Sequence, residues 1–318
     1  MKASVNRGFA QLIAIGAISY CASDSPAQQK ALLAESEEAY PSCLTCSADG
    51  KSIAFGTFDG KVHLWNWNDK QSTVLFEHPK AIPMSAQFSP SGQIVAIGAL
   101  DNSIRLIDVR KKAEVLLLTG HDQTVWSIVF RPDGKSLVSA SGDGTVRSWD
   151  CDTGKQQYAI SIESTGTSVA LSSDGKLAAC GRGDGKVLLL DAKSGAVSKE
   201  FAGHSGKVIQ VRFVRDDKTL VSGGSEGSYR EWDLESGKEQ RVLETKSKSR
   251  SVAFSSDGKV VTVDSEGTIR LWDFASGKEK GTLVESKAAF VLFGSDRGTF
   301  FTGARTIKVW NAAALYGE

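Results

Sequence analysis

His121, Ser139 and Asp143 are the three residue types of an acyl-transfer triad, in which a carboxylate orients an imidazole that takes the proton of a nucleophilic hydroxyl. They stand close together in the chain, with Trp149 just beyond them. The same types return further on as His204, Ser222 and Trp232, with Glu226 in place of the aspartate. A catalytic site has no reason to be copied at a fixed interval along a chain. The recurrence therefore argues for a role in the scaffold rather than in chemistry.

The other reactive residues are weaker candidates. Cys43-x-x-Cys46 has the spacing of a redox pair or half a zinc site. No second such pair follows, and Ser47 stands where haem attachment would need a histidine. Both cysteines fall at strand positions, so extended chain would hold their Cα atoms about 10 Å apart, too far for a disulfide. Cys151 and Cys180 align with apolar or small strand positions, so the thiols are read as core residues. The four histidines, at 63, 78, 121 and 204, lack metal-ligand spacing, and Asp150-x-Asp152 lacks the rest of a calcium loop. No cofactor and no enzyme activity are expected.

The elements that hold these residues form a repeat. A short apolar strand ending in Trp-Asp, or a degraded form of it, occurs at Trp65, Ile107, Trp149, Leu190, Trp232, Trp272 and Trp310, spaced by 42, 42, 41, 42, 40 and 38 residues. Two series of turns run in phase with it, one from Asp49 to Asp296 and one of Asp/Glu-Gly pairs from Asp59-Gly60 to Glu266-Gly267. The third unit reads as four short strands, Glu114–Leu118, Val125–Phe130, Ser136–Ala140 and Val146–Trp149, separated by Gly, Asp and Pro turns. One such four-stranded sheet has two apolar faces, so copies must stack face to face around an axis.

Composition agrees. The 318 residues include 38 Lys+Arg and 37 Asp+Glu, a net charge of +1, so no overall field steers the chain towards nucleic acid or anionic lipid. Five cysteines are too few for a disulfide scaffold, and 41% apolar residues suffice for a core. The N-terminus differs from the rest. Lys2 and Arg7 precede a 14-residue apolar run, Phe9–Ala22, shorter than the roughly 20 residues of a membrane helix. Residues 1–27 are therefore expected to be a secretory signal peptide, with Ser25-Pro26-Ala27 offering small residues at the cut, and the mature protein to be exported, periplasmic or secreted. An uncleaved leader would leave it cytoplasmic.

These residues resemble the WD-repeat β-propeller family, with Gly120-His121 and Gly203-His204 as Gly-His starts and Trp-Asp at the ends of units. The resemblance implies an all-β fold over residues 28–318: a single seven-bladed β-propeller of four-stranded antiparallel blades. The last unit lacks an outer strand, and Lys30–Ala34, ahead of the first unit, can supply it and close the ring. The resemblance also gives His121, Ser139, Asp143 and Trp149, and likewise His204, Ser222 and Trp232, the role of a structural hydrogen-bond network.

For function, the resemblance implies a non-catalytic protein–protein interaction scaffold, monomeric as a fold. Its peptide or protein partner would bind on the face where the innermost strands begin, around the central channel. The contact positions carried over are Tyr40, Phe58, Ile82, Met84, Leu100 and Trp126 on blades 1–3, and Lys207, Ile209, Lys248, Arg250 and Lys287 on blades 5–7. The first group is apolar or aromatic and most of the second basic, which suits a partner with an apolar anchor and acidic residues. Two alternatives stay open: a polyanion or nucleic-acid binder using the basic arc, and an enzyme with an unrecognised site at the channel mouth.

Overall fold

The computed structural model describes residues 31–36, 40–215, 217–245, 247–255, 257–284, 288–294 and 298–316. The expected signal peptide, residues 1–27, and the contact residue Lys287 lie outside the described residues. Seven four-stranded antiparallel sheets make up seven blades of a β-propeller. Blade 1 spans Pro41–Glu77, blade 2 Pro83–Leu118, blade 3 Val125–Ser161, blade 4 Gly166–Ala202, blade 5 Val208–Glu244 and blade 6 Ser249–Val284. Blade 7 takes three strands from Phe290–Asn311 and its outermost from Leu32–Glu35.

That last pairing closes the ring as expected: Leu32 lies opposite Trp310, Ala34 opposite Val309 and Glu35 opposite Lys308. The hydroxyl of Thr306 adds a 2.8 Å hydrogen bond to Glu35 Oε1. Each blade's first strand lies beside the first strand of the next blade, and the seventh beside the first. One boundary differs from the sequence reading. The strand at the head of the third unit, observed as Ala113–Leu118, pairs with Ile104–Asp108 and forms the outer edge of blade 2. Each sequence unit therefore straddles two blades, which ties neighbours together covalently.

The strands form because their apolar residues alternate and their turns take the required backbone. Gly144, between the second and third strands of blade 3, has φ +75°. Blade 2 has Asn102 at that place, the residue that best tolerates the left-handed region after glycine, with φ +71°. The core is divided among the gaps between blades. In one such layer Ala96, Ile104 and Leu106 of blade 2 meet Val125, Ile128, Phe130 and Trp149 of blade 3. Ile107 and Leu190, which replace the strand tryptophan, are fully buried in the same kind of layer.

A small residue on the second strand sets the distance between blades at every blade but the sixth, which has Val263 there. A Cβ on Gly98 would sit 2.7 Å from Val125 of the next blade, and one on Gly181 would sit 2.6 Å from Val208. Between blades 3 and 4 the small residue changes sides: Ala140 takes the second-strand place, and Gly166 opens the neighbouring first strand. A short helix, α1 (Ala312–Tyr316), ends the described chain, and its Tyr316 hydroxyl donates to Val260 O at 2.8 Å. Among the described residues no helix is long and apolar enough to cross a membrane.

Candidate functional site

A recurring backbone hydrogen bond builds the face on which the innermost strands begin. The residue before the first strand offers its carbonyl to the N–H at the turn between the second and third strands. This bond joins Leu100 to Ile82 (2.9 Å) in blade 2, Gly142 to Thr124 (3.0 Å) in blade 3 and Gly183 to Thr165 (2.8 Å) in blade 4. It joins Ser225 to Lys207 (2.9 Å) in blade 5 and Ser265 to Lys248 (3.0 Å) in blade 6. In blades 2–6 the same turn is thus pinned to the same strand start at one end of the ring, and Tyr40 and Phe58 hold the equivalent places in blade 1, before its first strand and after its second.

Exposure divides them. Tyr40 and Phe58 are both 51% exposed, Leu100 47% and Trp126 37%. Ile82 and Met84 are half-buried, so they act more as the floor of the apolar patch than as its protruding part. Ile209 is also half-buried, and it packs on the apolar layer between blades 5 and 6. Lys207, Lys248 and Arg250 are exposed, and the Arg250 guanidinium donates to Ser265 O at 3.1 Å. Trp126 lies over its own turn, with its indole nitrogen 3.2 Å from where a Cβ on Gly142 would be.

Sequence reasoning missed a second set of exposed apolar side chains. Leu33, Val74, Val115, Leu117 and Val197 all lie on outermost strands, away from the channel mouth. The signal was present as β-branched and leucine residues at alternate positions of those strands. It could not be separated from core patterning before the edge of each blade was known.

The triad-like residues form the network that the resemblance implies. His121 Nδ1 lies 2.7 Å from Asp143 Oδ2, its Nε2 lies 2.8 Å from Ser139 Oγ, and Trp149 Nε1 donates to the same Oγ at 2.8 Å. In blade 5 His204 bridges Glu226 Oε1 (2.6 Å) and Ser222 Oγ (2.7 Å), and Trp232 donates to Ser222 at 2.8 Å. Burial lowers the pKa of both histidines, although their carboxylates pull the other way. Burial also pushes the Asp143 carboxyl up, but the Thr145 hydroxyl, His121 and the Asp122 N–H outweigh it and hold that carboxyl at about 2. Ser139 and Ser222 have no exposed surface, so neither hydroxyl can meet a substrate.

Cys43 and Cys46 sit on one strand, opposite Gly56 and Ile53, and no disulfide joins the described cysteines. Among the described residues no three His, Cys, Asp or Glu side chains gather as a metal site.

Comparison with known proteins follows the repeat. The family model for the WD domain, G-beta repeat, matches residues 32–66, 69–108, 112–150, 195–233 and 237–273, more than half of the chain. Similar curated proteins include WD repeat-containing protein 91 of Gallus gallus, 31% identical over 94 residues, which are 29% of this chain and 12% of that protein. The WD repeat-containing protein 91 homolog of Dictyostelium discoideum is 31% identical over 96 residues, again 29% of this chain and 12% of that protein. WD repeat-containing protein 36 of Homo sapiens is 27% identical over 94 residues, 30% of this chain and 10% of that protein. The matched segment is thus only about a tenth of these relatives' length.

Proposed function

From the premise that this chain belongs to the WD-domain, G-beta repeat family, we propose that it is a non-catalytic platform for a protein or peptide partner. Propellers of this family are typically protein-interaction scaffolds, and the finer reading concerns where and what this one binds. The partner is held on the channel-mouth face, with its apolar anchor on blades 1–3 and its acidic residues towards blades 5 and 6.

The observation that carries this reading is the cluster of Tyr40, Phe58, Leu100 and Trp126 on one end of adjacent blades, each more than a third exposed. Exposed aromatics grouped in this way are unusual on a surface that nothing covers. The exposed Lys207, Lys248 and Arg250 supply complementary charge on the opposite arc. Charged rims set orientation and on-rate more than affinity, so the apolar half should dominate retention.

The test is capture from a native extract by the wild type and by a Met84→Asp/Trp126→Asp variant with an equal melting temperature. A protein kept by the wild type and lost by the variant supports the reading. Equal capture by both places the binding surface elsewhere. A polyanion binder would instead be lost steeply as salt rises, with a slope set by the number of phosphates contacted. Export through residues 1–27 is part of the same proposal, and the N-terminal mass of the native protein tests it.

A further inference from the structure

The seam between blades 5 and 6 carries a cation without a counter-ion. Arg212 is the fifth residue of the innermost strand of blade 5, Val208–Val214. Thr45, Gln87, Val129, Ala170, Ala253 and Leu292 hold its place in the other blades, so Arg212 alone brings charge to that ring of positions. It is half-buried, and with a blade on either side and its own second strand behind, it meets water through the central channel. Arg212 makes no hydrogen bond and no ion pair among the described residues. By contrast, the buried Arg105 holds Asp101 at 3.0 Å and Arg182 holds Asp184 at 2.6 Å. The carboxylate in the same row of side chains, Glu231, lies beyond Val221 and is engaged by Arg215, with Arg241 3.9 Å away. Burial lowers the pKa of the Arg212 guanidinium, and no neighbouring carboxylate offsets that cost.

Two more donors face the same seam. In three other blades a serine two residues before this place reaches the first strand of the next blade. Ser127 Oγ accepts the Val169 N–H at 3.0 Å, Ser168 Oγ that of Val211 at 3.2 Å, and Ser251 Oγ that of Val291 at 3.2 Å. Blade 5 has Gln210 instead, and the matching N–H of blade 6, that of Val252, has no side-chain acceptor among the described residues. The Gln210 carboxamide is half-buried and likewise makes no hydrogen bond among them. Alternate residues of a strand leave the same face, so the Gln210 and Arg212 side chains start about 7 Å apart.

The donors specify the ligand. A guanidinium is a planar fork that a carboxylate meets with both oxygens, and a cation walled by low-dielectric protein gains most from a ligand that brings the counter-charge. We infer that this seam binds a carboxylate, held by the Arg212 guanidinium with the Gln210 carboxamide and the Val252 N–H as further donors. An acidic residue of the partner and a free organic acid share that chemistry. Only the first source rests on the partner-binding reading above; the site itself does not.

The probe is acetate, exchanged for chloride at fixed ionic strength and pH 7.5, with acetamide as its neutral isostere. The readouts are the ¹H–¹⁵N resonances of Arg212 Nε and of the Val252 N–H, the first assigned by its loss in Arg212→Lys. A saturable shift of both with acetate, about tenfold tighter than with acetamide, is expected from the charge of the ligand. Arg212→Met should abolish the Val252 shift, and Arg212→Lys, which keeps the charge without the fork, should weaken it. No saturable shift, or equal shifts with both probes, overturns the inference in the wild type alone, whether or not either variant folds. Capture by Arg212→Met then separates the sources, and either result upholds the site. Loss of a protein that the wild type keeps assigns the carboxylate to that partner, and unchanged capture beside the acetate shift assigns it to a free acid. Acetate binding does not involve Met84 or Trp126, so the seam and the partner-binding face can fail separately.

Discussion

Ser139 Oγ lies 2.8 Å from Nε2 of His121, the spacing of a nucleophile and its base, yet the serine is wholly buried and already accepts the indole N–H of Trp149. The hydroxyl is shared between an imidazole and an indole. Removing it would strand a buried donor and a buried acceptor at once. In the mechanism of the fold it is a joint between two strands and the loop that leads into the blade.

Ser139→Ala should therefore destabilise the protein by about 1–3 kcal/mol, the cost of unsatisfied buried groups. Ser139→Thr should cost much less, since Thr262 and Thr302 hold the same indole in blades 6 and 7. Urea unfolding of both variants checks this. Equal losses would mean that the hydroxyl is not the joint.

Stability should fall as pH drops below neutrality. His121, His204 and His63 all have folded-state pKa values below 6.5, each chiefly through burial. The unfolded chain therefore binds protons first as pH falls through 6.5, and stability that is complete above that pH is lost on the way down. Asp143 adds a second loss of the same sign between 3.8 and about 2. The melting temperature should drop between pH 7.5 and 5.5, and drop less in His121→Asn/His204→Asn. An unchanged slope in that variant would contradict the assignment.

The thiols of Cys43, Cys151 and Cys180 are pushed up to about 12 by burial, so at pH 8 almost no thiolate is present. Iodoacetamide should leave these three unlabelled in the native protein and label them in urea, as read by peptide mass. Rapid native labelling of Cys43 or Cys180 would show that the blades open locally.

Blade spacing should be sensitive at Gly98. A methyl there must displace both the Ser85 hydroxyl and Val125, so Gly98→Ala should cost about 1–3 kcal/mol. Val125→Gly places the small residue as it stands at Ala140 and Gly166, and the double variant should lose less than the sum of the two singles. Additive losses would mean that the two residues do not meet.

The seven strands ending in Trp-Asp or its degraded form, and the ring-closing strand, were legible because a period repeated along the chain outweighs local ambiguity. The closing strand was placed at Lys30–Ala34, starting two residues and ending one residue before the observed Leu32–Glu35, and Lys30 lies outside the described residues. The repeat unit is offset from the blade by one strand, because the outer strand of one blade heads the next unit along the chain. Leu33, Val74 and Val197 were not singled out and are exposed, since alternation does not distinguish an inner layer from a blade edge. The missing hydroxyl beside Trp65 was invisible for another reason. Phe55 fits the apolar pattern of a strand, and only the register shows that it displaces a hydroxyl.

Two exposed apolar surfaces therefore compete as the partner's anchor, and hydroxyl-radical footprinting of a captured complex separates them most directly. The account predicts loss of oxidation at Tyr40, Phe58, Leu100 and Trp126 on partner binding, with Leu33, Val74, Val115, Leu117 and Val197 unchanged. Protection of the outer-strand residues, with Trp126 and Phe58 still oxidised, would contradict it.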